Sequence, residues 1–273
     1  MKRLLTAAAV LPFLIASILI SSLWWVFLLL AVAAMVLGLW EFYLLAKRLQ
    51  LKPDPAAGYI AGAALVTIQF QNDPAINVLL TQFVIIALTI GTLIAMTIRG
   101  APFDKMIAST GATILGVLYI PLLGSHLIAM RVGFDPTLSR HLLSFFFLVL
   151  MGADAGAYYI GRAFGKHKLA PSISPGKTWE GAIGGVAAAL AMGALSHFWF
   201  FRELPLKFIL PLAAVMTIVG IFGDLAESAL KRGAGAKDAA NILPGHGGLL
   251  DRLDSLLFNA PLIYYFARLY FSS

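Results

Sequence analysis

The sequence predicts an all-α, polytopic integral membrane protein of about nine transmembrane helices, with its polar loops facing the cytoplasm. Three observations predict it. Of the 273 residues, 60% are hydrophobic and only 12% charged, against about 25% charged in a soluble domain. Apolar runs near the roughly 20 residues that a helix needs to cross a bilayer recur along the chain. The Lys and Arg residues are divided unevenly between alternate connections, as the positive-inside rule demands.

Taken in order, the apolar runs fall near 4–20, 23–46, 57–71, 76–97, 107–129, 142–161, 181–201, 207–223 and 254–271. The first, "MKRLLTAAAVLPFLIASILISS", has the basic start and small-residue end of a leader peptide. A second apolar run follows at once, which favours an ordinary first span. Trp24 and Trp25 mark a membrane interface. The run 57–71 is short and rich in Gly and Ala, and the charges decide whether it crosses. With nine spans and a cytoplasmic N-terminus, fifteen of the twenty Lys and Arg lie on the cytoplasmic side. If 57–71 does not cross, the split is ten to ten.

The chain divides into N-terminal transmembrane helices, 1–140, and a C-terminal transmembrane catalytic region, 141–273, within one continuous membrane domain. A net charge of +7 suits cytoplasmic loops, anionic lipid or an anionic substrate. No basic stretch interleaved with aromatics lies on a soluble module, which excludes nucleic acid as a partner. Cysteine is absent, which excludes thiolate chemistry and disulfides. His126, His141 and His197 are scattered singly and read as structural.

Two polar, Gly-rich connections, 162–180 and 224–253, fall on the same side. In "GDLAESALKR", Asp224, Glu227, Ser228 and Lys231 share one helical face. The eighth apolar run therefore continues as a helix past Gly223 with a polar stripe. Gly233 and Gly235 end that helix. Gly245, Gly247 and Gly248 bracket His246, a loop able to aim backbone N–H groups at an anion. Asp251 and Asp254 share a face at the start of the last helix, with Arg252 between them in sequence. The connection "GRAFGKHKLAPSISPGKTWEG" adds Arg162, Lys166, Lys168 and Lys177. Its "GKT" is not a P-loop, because Pro171 stands where that pattern needs Gly. Ser174, Lys177, Thr178 and Glu180 are placed to touch a phosphate or support a metal ligand.

Two acids lie inside apolar runs. Asp154 is a functional candidate, since a lipid-facing carboxylate is costly. Glu41 reads as snorkelling beside Lys47 and Arg48. Carboxylates such as Asp224, Glu227, Asp251 and Asp254 can hold Mg²⁺, which takes substrate phosphates as further ligands. The Lys and Arg side chains can neutralise the remaining phosphate charge. No nucleophile–base pair is visible, so the chemistry indicated is phosphoryl or nucleotidyl transfer at a membrane surface.

The run "SALKRGAGAKDAANILPGHGGLLDRLDS" resembles the signature of the phosphatidate cytidylyltransferases (CDP-diacylglycerol synthases). That signature reads S-x-x-K-R, four residues, K-D, then P-x-H-G-G, then D-R-x-D. Ser228, Lys231, Arg232, Lys237, Asp238, Pro244, His246, Gly247, Gly248, Asp251, Arg252 and Asp254 fill it without departure. The close resemblance covers about residues 150–258. It implies that CTP and phosphatidic acid give CDP-diacylglycerol and pyrophosphate in phospholipid biosynthesis, at a bacterial inner membrane among membrane lipids. It also implies Mg²⁺, K⁺ as a second cation, and a homodimer. By motif position, Asp224 and Asp251 are the principal metal ligands, joined by Glu227 and Asp254. Lys231, Arg232, Lys237, His246 and Arg252 face the phosphates. Asp154, Ser174, Lys177, Thr178, Ser228, Asp238, Gly247 and Gly248 shape the substrate pocket.

Two other readings fit less well. A CDP-alcohol phosphotransferase needs a D-x-x-D-G-x-x-A-R pattern that "GDLAESALKR" lacks. An ion-coupled transporter predicts inverted repeats and mid-membrane acids, whereas no repeat is visible and most acids sit at the cytoplasmic edge.

Overall fold

A computed structural model describes residues 2–71, 73–100, 102–240 and 248–271, with side chains from residue 11 onward. Each predicted apolar run coincides with a helix. These are α1 (Lys2–Leu19), α2 (Trp24–Arg48), α3 (Pro55–Ile68), α4 (Pro74–Ile98), α5 (Met106–Val117), α6 (Leu123–Val132), α7 (Pro136–Phe164), α8 (Trp179–Trp199), α9 (Leu206–Gly233) and α10 (Leu250–Phe271). Among the described residues, six stretches are long and apolar enough to cross a membrane, taking α5 and α6 as one rod, Phe103–Val132. Helix α3 is too short for that class. Its 14 residues rise about 21 Å.

The starts of α3, α4 and α7 are written in Asp-Pro pairs. Asp54, Asp73 and Asp135 each accept a backbone N–H of the first turn, and Pro fills the position where no N–H is needed. Between α5 and α6 the rod passes through a π turn, Leu118–Leu122, which contains Pro121. Proline cannot donate to the helical ladder, and a widened turn absorbs that gap.

Helices α3 and α4 form a hairpin whose open end is closed by an ion pair, Arg99 Nη1 to Asp54 Oδ2 at 2.7 Å. At the far end of α1, Arg131 Nη2 donates to the carbonyl of Ser17 at 3.2 Å. A large apolar cluster built on Phe145, Phe146, Phe201, Ile209, Met216 and Ile263 joins α7, α9 and α10 through the α8–α9 connection. A second, with Met35, Leu39, Phe42, Tyr119, Leu250, Leu253 and Leu257, clamps α2 and the π turn onto the start of α10.

The connection after α7 is not the plain loop that the sequence suggests. It is a two-stranded antiparallel hairpin, β1 (Lys168–Ala170) and β2 (Ser174–Thr178), with Lys168 opposite Thr178 and Ala170 opposite Ser174. Glu180 pins its base: the carboxylate accepts the backbone N–H of Lys166 at 3.1 Å and of His167 at 3.2 Å, and meets His167 Nδ1 at 2.6 Å.

Candidate active site

Helix α9 does run past Gly223, to Gly233, and carries the polar stripe on its final turns. Gly235 then takes a left-handed backbone, φ +62°, which glycine adopts without steric cost. The stripe meets α10 because α9 is small where the two cross. A Cβ on Gly223 would lie 2.6 Å from the carbonyl oxygen of Asp254. One turn earlier, a Cβ on Gly220 would be 3.4 Å from Ser255 Cβ. This approach brings one carboxylate oxygen each from Asp224, Glu227 and Asp254 within 4.8 Å of one another.

Cationic side chains already lean on these acids. Lys177, from β2, pairs with Asp224 Oδ2 at 2.6 Å. Ser228 Oγ donates to Asp224 Oδ1 at 3.3 Å. Lys231 bridges Glu227 Oε2 at 2.6 Å and Asp251 Oδ1 at 2.5 Å. The other oxygen of Asp251 accepts the N–H of Gly248 at 2.8 Å. Asp251 therefore faces Lys231 and its own helix start, while Asp254 completes the three-acid group.

The donor set fits a hard divalent cation. Three carboxylates converge, and oxygen ligands are what such ions take. The Glu227 side chain is 1% exposed, and its Oε1 meets no hydrogen-bond donor among the described residues. A buried carboxylate oxygen without a donor is costly, and a cation removes that cost.

Beside the acids opens a cavity of about 510 Å³. Asp154, Arg162, Lys177, Asp224, Arg252 and Asp254 are on its walls, so the two polar connections predicted to act together do share one chamber. Close packing of α7 on α8 shapes it: a Cβ on Gly156 would lie 2.7 Å from the carbonyl of Gly184. Thr178 lines the cavity too, but its Oγ1 caps α8 by accepting the Gly181 N–H at 3.1 Å. Ser174 sits in the hairpin away from the cavity wall. Arg232 turns outward, donating to the carbonyls of Ile173 at 3.4 Å and Ala236 at 3.0 Å. Lys237 and Asp238 are exposed beyond the end of α9. His246 and Gly247 lie outside the described residues.

Arg162, which the sequence marks only as part of a basic connection, is a wall residue steadied by Tyr158 Oη at 3.1 Å. Glu41 needs correction. It does not snorkel; its residue exposure is 0%, and it touches the start of α10. The signal was there, an acid inside an apolar run, but its partner lies more than two hundred residues away.

A model described as the cytidylyltransferase family matches residues 1–270. The chain is 43% identical over 136 residues to the phosphatidate cytidylyltransferase of Haemophilus influenzae, covering 48% of this chain and 47% of that protein. It is 38% identical over 171 residues to the Bacillus subtilis phosphatidate cytidylyltransferase, covering 62% and 60%. With the Brucella suis phosphatidate cytidylyltransferase it shares 50% over 127 residues, 46% of each chain. The matched stretches thus span about half the length of the curated relatives. With the family model covering the chain almost end to end and the acid-lined cavity formed by the signature helices, the chain belongs to the cytidylyltransferase family.

Proposed function

We propose that this protein transfers the cytidylyl group of CTP to phosphatidic acid, giving CDP-diacylglycerol and pyrophosphate. The observation that carries the reading is the meeting of Asp224, Glu227 and Asp254 beside a cavity walled by Arg162, Lys177 and Arg252. The family membership and the phosphatidate cytidylyltransferase relatives support it.

An oxygen of the lipid phosphate attacks the α-phosphorus of CTP; a new P–O bond forms there, and the bond to the bridging oxygen breaks, releasing pyrophosphate. The second pKa of a phosphate monoester is about 6, so the nucleophile is already ionised near neutral pH and needs no strong base. The barrier is repulsion between two anions. Arg162, Lys177 and Arg252 lower it by facing the phosphates across the cavity. Lys177 begins on Asp224 and exchanges that carboxylate for a phosphate oxygen as the nucleotide enters. Lys231 stays buried and holds Glu227 and Asp251 in place. Asp224, Glu227 and Asp254, with Asp251 adjacent, would hold Mg²⁺, which when bound would supply charge neutralisation on the phosphates. The same acids would also offer oxygen ligands to K⁺ as a second cation. Asp154 shapes the headgroup side of the cavity. Gly248 lets backbone approach, and Thr178 fixes the hairpin against α8. Lys237, Asp238, His246 and Gly247 complete the phosphate-facing loop, while Ser174 and Arg232 brace the hairpin against the end of α9 from outside the cavity.

The same reading includes nine crossings of a bacterial inner membrane, a cytoplasmic N-terminus and active site, and a homodimer. The charge bias supports this topology, as does the return of α4 to the start of α3 through Arg99 and Asp54. The division into helices of 1–140 and a catalytic region of 141–273 belongs to it as well.

The test uses purified protein in detergent–lipid micelles with CTP labelled at the α-phosphate and phosphatidic acid. Label is expected to enter the organic phase with Mg²⁺ and to remain behind with EDTA. Second-sphere metal contacts are worth about 10–100-fold, so Asp224→Asn is expected to cost at least about 100-fold in turnover. Label that never reaches lipid, from folded protein, would reopen the transporter reading.

A further inference from the structure

Glu41 sits late in α2, in the half of the chain that holds none of the signature residues. Both of its carboxylate oxygens are used by α10. Leu249 N–H donates to Oε1 at 2.8 Å, and Leu250 N–H donates to Oε2 at 2.7 Å. These amides stand at the start of the helix, one just before it and one in its first turn, where no intrahelical acceptor exists. A carboxylate at that end also meets the positive pole of the helix. The contact is closed to water, with Glu41 at 0% exposure.

Gly248 makes the contact possible. A Cβ there would stand 2.7 Å from Glu41 Oε2. One glycine of the Gly-His-Gly-Gly run therefore admits a side chain of the protein itself. Gly248 also donates its N–H to Asp251, so the carboxylates of Glu41 and Asp251 hold three successive amides of one helix start.

From this geometry we infer that Glu41 is a positioning residue: it fixes the first turn of α10 and, through it, the placement of Asp251 and Asp254 opposite Asp224 and Glu227. The inference rests on the functional reading above for its effect on turnover, but not for the contact itself. The side chain touches neither substrate nor cation. It acts through the backbone from which two of the acids hang. The apolar cluster of Leu39, Leu250, Leu253 and Leu257 holds the two helices side by side, but apolar contact is non-directional and does not set rotation. Two backbone N–H groups donating to one rigid carboxylate do.

The test compares Glu41→Gln with Met35→Ala, a buried control on the same helix. Gln keeps the length but turns an NH₂ group toward one of the amide donors. Three quantities are read: hydrogen exchange of the peptide carrying amides 249 and 250, Mg²⁺ affinity by calorimetry without substrate, and turnover against CTP and Mg²⁺. In Glu41→Gln, exchange at 249–250 is expected to speed up while the rest of α10 is unchanged. Mg²⁺ affinity and turnover should each fall about tenfold or more, as for other residues that orient metal ligands. Met35→Ala should lower thermal stability and leave Mg²⁺ affinity unchanged. If Glu41→Gln does not accumulate in folded form, Glu41→Asp, with both acceptors one methylene short, is read in the same way. Faster exchange with wild-type Mg²⁺ affinity and turnover would reduce Glu41 to a structural tie and overturn the inference. Unchanged exchange would overturn it too. If the wild type transfers no label to lipid, the functional reading fails separately, and Mg²⁺ affinity alone decides the positioning role.

Discussion

Helices α4 and α9 are both long and apolar enough to cross a bilayer, at 25 and 28 residues, yet they spend their surfaces differently. Helix α4 buries only Leu88, Thr92 and Met96 and turns large side chains such as Leu79, Phe83, Ile86 and Ile98 outward. Helix α9 buries Gly220, Gly223, Glu227, Ser228 and Lys231 among its apolar contacts. In hydrocarbon, a Leu gains little by leaving lipid for another helix, so large aliphatics satisfy the bilayer without fixing a neighbour. Small residues fix backbones at close range, and polar residues fix orientation. The site is built where both occur together.

The comparison breaks hardest at the buried charges of α9. Lys231 holds two carboxylates, and the three side chains are 11%, 1% and 12% exposed for Lys231, Glu227 and Asp251. Lys231→Met leaves two acids facing each other without their cation. Removing one partner of a buried pair costs about 3–5 kcal/mol. The expected result is a large fall in the denaturation midpoint in detergent, together with loss of transfer. A midpoint near wild type would mean that water reaches Glu227 and screens it.

Glycines sharpen the contrast one step down. Gly223→Ala puts a methyl group against the carbonyl of Asp254, a backbone atom that cannot swing aside. Overpacking of this kind costs about 1–3 kcal/mol, and it moves Asp254 away from Asp224, so turnover should fall further than stability does. On α4, a Cβ at Gly91 meets nothing within 4 Å. There, Gly91→Ala is expected to stabilise by up to about 1 kcal/mol, because Ala is the better helix former. Thermal midpoints and the labelled-CTP assay on the two variants read both halves of this prediction.

Much of this was legible beforehand, and the reasons are local. Apolar runs announce helices, and spacing alone placed Asp224, Glu227, Ser228 and Lys231 on one face. What escaped depends on distant contacts or weak patterns. Strands of 3 and 5 residues, separated by a turn containing Pro171, leave no alternation to read. The π turn at Leu118–Leu122 differs from an α-turn by one residue in a continuous apolar rod. Glu41 was visible as an acid in a span, but its place near the basic end of α2, beside Lys47 and Arg48, reads as snorkelling. Only the folded chain brings Leu249 and Leu250 to it. Which of Asp251 and Asp254 joins Asp224 and Glu227 in the converging group likewise depends on the fold, in which Lys231 and the Gly248 N–H occupy Asp251.

The mildest perturbation concerns an ion pair that looks equivalent on paper. Arg99 and Asp54 approach as closely as Lys231 and Glu227, at 2.7 and 2.6 Å. Arg99, however, is 59% exposed, so solvent and salt screen its charge. Asp54 is itself buried, at 4% exposure, but losing the largely exposed Arg99 opens its Oδ2 to water. Its Oδ1 still accepts the Ala57 N–H at 3.2 Å, and its own N–H still donates to Thr113 Oγ1 at 2.8 Å. Arg99→Met should therefore cost no more than about 1 kcal/mol and leave turnover within about twofold of wild type. The difference between this variant and Lys231→Met should widen slightly as salt is raised, because salt screens the exposed Arg99 pair and leaves the Lys231 pair, which is shielded from solvent, unchanged. A turnover loss in Arg99→Met as deep as that of Lys231→Met would mean that the α3–α4 hairpin, which contributes no side chain to the cavity, nonetheless sets the geometry of the acids.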